Sequence, residues 1–215
     1  MRRVQGFLAL GAMLLLAACA ATTEVNSTWQ VKTGEDKPAF NHIYVLSLAN
    51  NPVNAAAVEN AVKESLGKRA VMATLGHETL PADVDKAKNF RAEVEKSVRA
   101  SGADGVLVVS LLKIDERDEY VPPQVDYVPM TAAPMYLGYG PYVGYNYNAI
   151  YQPGYYQNTR DYYLQSQLYS VQTGKPVWMA QSKVMNPVNV EKGAKGYAST
   201  LVRQLDKDGA LKLKR

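Results

Sequence analysis

The sequence predicts an α/β domain, a mixed sheet packed by helices in the order β-α-β-α-β, long loop, β-hairpin, α. Three observations carry this prediction. Three segments place their apolar residues at helical spacing, on a single stripe each. Gly105 to Leu112 is apolar at nearly every position, the pattern of a strand covered on both faces. Two strand-like runs, Asp161–Val171 and Pro176–Met185, flank Gln172-Thr173-Gly174-Lys175, a glycine-bearing turn that closes a hairpin.

The elements follow in order. Ile43 to Leu48 reads as a strand, stopped by Asn50-Asn51-Pro52. Asn54 is placed to cap a helix whose stripe is Val58, Ala61, Val62 and Leu66, with Glu59 and Lys63 as an i,i+4 pair and Gly67 at its end. Val71 to Leu75 suits a short second strand. A second helix spans about Ala87 to Ala100, with Phe90, Val94 and Val98 on one side and Gly102 as its stop. The strand beginning at Gly105 is then the centre of the sheet, and the alternation of strands and helices favours right-handed crossovers. In the hairpin, Trp178, Ala180 and Val184 share one face. Asn189 caps the last helix, striped by Val190, Ala194, Tyr197, Leu201 and Leu205 and ending near Gly209. The basic tail from Leu211 to Arg215 is expected to be mobile.

Between the central strand and the hairpin lies the insertion 121–159. From Tyr127 through Thr159 no residue is charged. Tyr136, Tyr139, Tyr142, Tyr145, Tyr147, Tyr151, Tyr155 and Tyr156 recur there among glycine, proline and asparagine. That composition forbids one regular helix or strand throughout. Tyrosine offers a large apolar face and a hydroxyl at small entropic cost, which suits a binding surface. A self-packed flap is the alternative. The eight tyrosines are the candidate partner-binding residues.

Composition excludes several functions. Of 215 residues 47% are hydrophobic, enough for a core. The net charge of +4 includes Arg2 and Arg3; without residues 1–18 the remaining 197 carry 22 basic against 20 acidic side chains. Such a balance gives no general electrostatic argument for nucleic acid. There is one cysteine, so no internal disulfide forms. His42 and His77, the only histidines, stand apart, and no Gly-x-Ser-x-Gly elbow occurs. The glycines of 138–144 follow no strand and open no helix, and Thr173-Gly174-Lys175 lacks the upstream glycine of a phosphate loop. Asp115 to Glu119 is a mixed-sign run leaving the central strand, expected to be solvated. An enzyme would have to use Asp115, Glu116 or His77 near a pocket. The expectation is therefore a chain that is not an enzyme, with no catalytic residue, no metal ligand and no cofactor.

The amino terminus sets the compartment. Met1-Arg2-Arg3 is a positive n-region, and Phe7 to Ala18 is an uncharged run too short to span a bilayer but suited to a cleaved signal. Leu16-Ala17-Ala18-Cys19 resembles the lipobox of bacterial lipoproteins. The resemblance implies cleavage before Cys19, acylation of its sulfur, and a protein held to the membrane by those chains. Ala20 after the cysteine implies the outer membrane, facing the periplasm. Residues 1–18 are then the signal peptide, 19–40 a polar tether with Trp29 as a docking aromatic, and 41–210 the periplasmic domain. Residues 43–54, 102–110 and 168–182 also resemble conserved stretches of envelope lipoproteins with a TolB-amino-terminal-like domain, a broad class that includes LpoB and CsgG. This implies a non-enzymatic binding or assembly module whose partner is an envelope protein or a glycan. The alternatives it implies are a cell-wall synthase activator, or an accessory component of an envelope secretion or assembly system.

Overall fold

A computed structural model describes residues 22–31, 37–81, 89–122, 124–125, 151–152 and 154–212. The predicted α/β class is what the structure shows. The described residues of Met1–Ile114 and Asp161–Arg215 make one compact unit, and those of Asp115–Arg160 make another.

The first unit is built on a six-stranded sheet. Its strands are β1 (Thr23–Trp29), β2 (His42–Ser47), β3 (Met72–Leu75), β4 (Gly105–Val121), β7 (Tyr155–Ser170) and β8 (Pro176–Met185), in the spatial order β1-β8-β7-β4-β2-β3. β4 and β7 run on into the second unit. β2 is parallel to both β3 and β4, as crossover connections require, while β7, β8 and β1 pair antiparallel. The helices are α1 (Pro52–Gly67), α2 (Gly76–Thr79), α3 (Phe90–Ser101) and α4 (Val190–Lys207).

Because side chains alternate across a strand, β2 serves two cores. Ile43 and Val45 join Val62 and Leu66 of α1 and Ala198, Leu201 and Leu205 of α4. Tyr44 and Leu46 face the other way, onto Val98 of α3, with Phe90 and Val94 packed beside it. β4 is interior to the sheet, as expected. Leu107 and Val109 are fully buried, but the strand continues nine residues beyond Leu112, exposed at Leu111, Leu112 and Ile114. In β8, Trp178, Ala180 and Val184 are all buried on the α4 side. Gly174 (φ 67°) forms the hairpin turn and Gly102 (φ 68°) ends α3, both in the left-handed region that glycine enters without steric cost.

Four expectations are corrected. Residues 23–29 are not tether but β1, an edge strand registered on β8 from Thr23↔Val184 to Trp29↔Trp178. Its half-buried Val25, Ser27 and Trp29 alternate with exposed Glu24, Asn26 and Thr28, a period of two. Trp29 accordingly packs against the core. The cap of α1 is Asn51 rather than Asn54: its carboxamide oxygen accepts from Val53 N (2.8 Å) and Asn54 N (3.3 Å), with Pro52 in the first turn. Glu59 does not pair with Lys63, which instead meets Glu78 at 3.1 Å. Finally, Leu211 is buried and bridges Phe40, so the tail is fastened through Lys212, whose N–H donates to Phe40 O at 2.8 Å.

Candidate functional site

In the first unit a cavity of about 110 Å³ opens between α1, α4 and the sheet. It lies where β2 ends, at Ser47 and Ala49, a position where open α/β sheets commonly hold ligands. Val109, Leu111, Leu164 and Val184 form its sheet side, with Val58 of α1 and Ala194 of α4 opposite. No lining residue is acidic, basic or a histidine. The polar groups that reach it are Ser47, Asn54, Tyr162 and Tyr197. Tyr197 is already engaged, its hydroxyl 2.6 Å from Ser166 Oγ. Burial pushes the Tyr197 phenol well up, opposed by the Ser166 bond, so the lining carries no charge from it at neutral pH. The site can hold apolar matter, with a few uncharged polar groups in its lining.

Glu59 of α1 lies close by, buried to 1% exposure. Its Oε1 accepts from Ser47 N (2.8 Å); its Oε2 accepts from His77 N (2.9 Å) and sits 2.7 Å from His77 Nδ1. The carboxyl thus joins the end of β2 to the start of α2. This is a fastening, through two backbone amides and the His77 ring. His42 sits at the start of β2 with Nε2 2.9 Å from Thr74 Oγ1. Each histidine therefore has a structural partner. Among the described residues, no cluster of three or more His, Cys, Asp or Glu is placed to hold a metal.

In the second unit the chain forms β5 (Gln124–Val125) against β6 (Tyr151–Gln152), antiparallel. Tyr151 belongs to this short ladder. Tyr155 and Tyr156, in β7, are exposed (55% and 73%), and the Tyr156 ring lies 5.2 Å from that of Tyr120, tilted by 51°. Exposed Tyr120 was not among the candidates, because it sits among the charges that end β4. Tyr136, Tyr139, Tyr142, Tyr145 and Tyr147 lie outside the described residues, as does Cys19. Asp115 and Glu116 are ion-paired, with Arg117 at 3.8 Å and Arg160 at 3.1 Å, as a solvated strand would have them.

The cavity itself had no local signature in the sequence. Its lining comes from four strands, two helices and two loops, and each residue taken alone reads as ordinary core. Among the described residues, no helix is long and apolar enough to cross a membrane.

No protein-family model matches this chain, and no curated protein matches it. Among solved structures it is similar to the PelC dodecamer from Paraburkholderia phytofirmans in space group P6, with TM-score 0.48 and 11% identity over 90% of this chain and 100% of that one. A substituted PelC dodecamer from the same organism, in space group C2, gives 0.48 and 11% over 88% and 99%. A PDZ domain protein from Parabacteroides distasonis ATCC 8503 gives 0.40 and 12%, covering 93% of this chain but 40% of that one. Likenesses of this size assign neither a family nor an activity.

Proposed function

We propose that this chain is a non-enzymatic envelope lipoprotein, held in the outer membrane by acyl groups on Cys19 and facing the periplasm. Its α/β domain acts there as a binding or assembly module for a protein or glycan partner. The observation that carries the binding role is the exposed aromatic group of the second unit. Tyr120, Tyr155 and Tyr156 leave more than half of their surface to solvent, with two rings in contact. Adjoining exposed aromatic side chains are a common feature of surfaces that bind partners.

Two measurements test this. Labelled palmitate should enter the wild-type chain and not the Cys19→Ser variant; no label in the wild type, or equal label in both, overturns the anchor. Crosslinking in the native membrane should then capture a partner with wild type and lose it with Tyr120, Tyr155 and Tyr156 all replaced by serine. Undiminished capture by the triple variant, with its thermal transition unchanged, overturns the tyrosine surface.

A further inference from the structure

In the second unit three cross-strand contacts follow one another along β4 and β7. Arg160 Nε lies 3.1 Å from Glu116 Oε1, Asn158 Nδ2 donates to Asp118 Oδ1 at 3.2 Å, and the Tyr156 ring lies 5.2 Å from that of Tyr120. Each step moves two residues forward on β4 and two back on β7, the register of an antiparallel pair. Between the first two rows, Thr159 Oγ1 donates to Arg117 O at 3.2 Å. Residues two apart on a strand share a face, so Glu116, Asp118, Tyr120, Tyr156, Asn158 and Arg160 form one ladder. Its rows stand about 7 Å apart and its length is about 14 Å, longer than one pyranose ring. Tyr155, one residue from Tyr156, belongs to the opposite face.

The chemistry of the rows selects the occupant. At one end two phenol rings leave more than half of their surface to solvent. The face of an aromatic ring carries negative charge density, which suits the weakly positive C–H face of a sugar. The next two rows hold planar groups of both kinds: carboxylates that accept, an amide and a guanidinium that donate. Sugar hydroxyls both donate and accept, so such rows serve them, whereas an alkyl chain gains nothing there. Charge separates the remaining candidates. Two carboxylates against one guanidinium leave a single negative charge, too little to select a strongly basic segment and of the wrong sign for a polyanion. The sequence joining the two strands has the same character: from Tyr127 through Thr159 nothing is charged, and tyrosine recurs with asparagine and glutamine.

We infer that this face of the β4–β7 ribbon binds an uncharged polysaccharide strand, with sugar rings on Tyr120 and Tyr156 and hydroxyls on Asp118, Asn158, Glu116 and Arg160. This rests on the tyrosine surface proposed above and narrows its partner to a glycan.

Saturation-transfer NMR on the purified full chain tests it, with cellohexaose, maltohexaose and hexa-N-acetylchitohexaose as uncharged probes. Saturation should pass to the ring C–H protons of at least one of them. Affinity should fall about tenfold or more in Tyr156→Ser and in Asp118→Ala, stay within about threefold in Tyr156→Phe, and be unchanged in Tyr155→Ser. All these side chains are exposed, so the fold should survive each change, which thermal melts check. No transfer to any hexamer, equal affinity in Tyr156→Ser, or an equal loss in Tyr155→Ser overturns the inference. So does tighter binding of hexalysine or of the cationic, deacetylated chitohexaose. A protein crosslinked through the same tyrosines in the native membrane, with no hexamer bound, overturns the glycan but leaves the binding surface standing. Undiminished hexamer binding and undiminished capture by the triple serine variant overturn both.

Discussion

The indole Nε1 of Trp178 donates to the carboxylate of Asp208 across 2.8 Å, tying the buried start of β8 to the residue that ends α4. Asp208 also accepts from Ser27 Oγ of β1 at 2.6 Å and from Gln204 Nε2 at 3.0 Å, and Gln204 in turn reaches Ser27 Oγ at 3.0 Å. One carboxylate thereby joins the edge strand, its neighbour in the sheet and the last helix. Burial works against its charge, yet the bonds from Ser27, Trp178 and Gln204 together hold its pKa below the usual carboxylate range.

Asp208→Ala should therefore destabilise the domain by about 1–2 kcal/mol, near the low end for bonds to a charged group because the site is half open to water. The pH dependence has a definite sign. Below the unfolded pKa of about 3.9, the unfolded chain binds the proton that the folded chain does not, so stability falls as pH drops through the folded value. Denaturant melts between about pH 5 and pH 2 should show wild type losing stability faster than Asp208→Ala. Parallel curves would show the carboxylate to be uninvolved.

Glu59 sets a second expectation. Glu59→Ala strands the Ser47 and His77 amides in a buried place and should cost about 3 kcal/mol. His77→Ala, which leaves Glu59 both backbone donors, should cost no more than about 1 kcal/mol. Chemical denaturation of the two variants checks the ordering. The reverse ordering would mean that the imidazole, not the backbone, holds Glu59.

Tyr44 is fully buried, with its hydroxyl 2.8 Å from Thr79 Oγ1 and 3.0 Å from Ser97 Oγ, so it links α2 and α3 beneath the sheet. Tyr44→Phe should cost about 1 kcal/mol and Tyr44→Ala about 3–5 kcal/mol. Thermal melts separate the two. A phenylalanine variant as weak as the alanine variant would make the hydroxyl, not the ring, the main contribution.

Gly105 is required by a close approach. A Cβ there would stand 2.9 Å from Cδ1 and 3.0 Å from Cγ of the buried Phe40 ring. Gly105→Ala should destabilise by about 1–3 kcal/mol, and Phe40→Leu in the same chain should recover part of that loss. A double variant weaker than the sum of the two single changes would refute the steric account.

Hydrogen exchange tests β1 directly. Amides of 23–29 that bond to β8 should exchange far more slowly than those of a polar tether, and Ser27→Ala should accelerate them. Uniformly fast exchange across 23–29 would return the segment to the role of a linker.

The elements that could be read directly are those whose pattern is completed by near neighbours. Val94 and Val98 lie one helical turn apart; Trp178, Ala180 and Val184 alternate within one strand; Asn189 stands three residues before Lys192, whose N–H its side chain accepts at 2.8 Å. The misread elements depend on distant partners. β1 is a seven-residue strand only because β8, whose paired residues lie 149 to 161 positions away, offers it an edge. Glu59 and Lys63 have the spacing of a surface pair, yet burial turns Glu59 toward Ser47 and His77.

The sequence by itself determined the α/β class, the helix stripes, the hairpin and the tyrosine-rich composition of the insertion, because periodicity and turn chemistry act over a few residues. Tertiary structure alone decided that residues 23–29 are an edge strand on β8, that Leu211 and Lys212 are fastened to Phe40, and that an uncharged cavity opens at the end of β2. Those outcomes depend on which surfaces meet when the sheet closes, and no local pattern records that meeting.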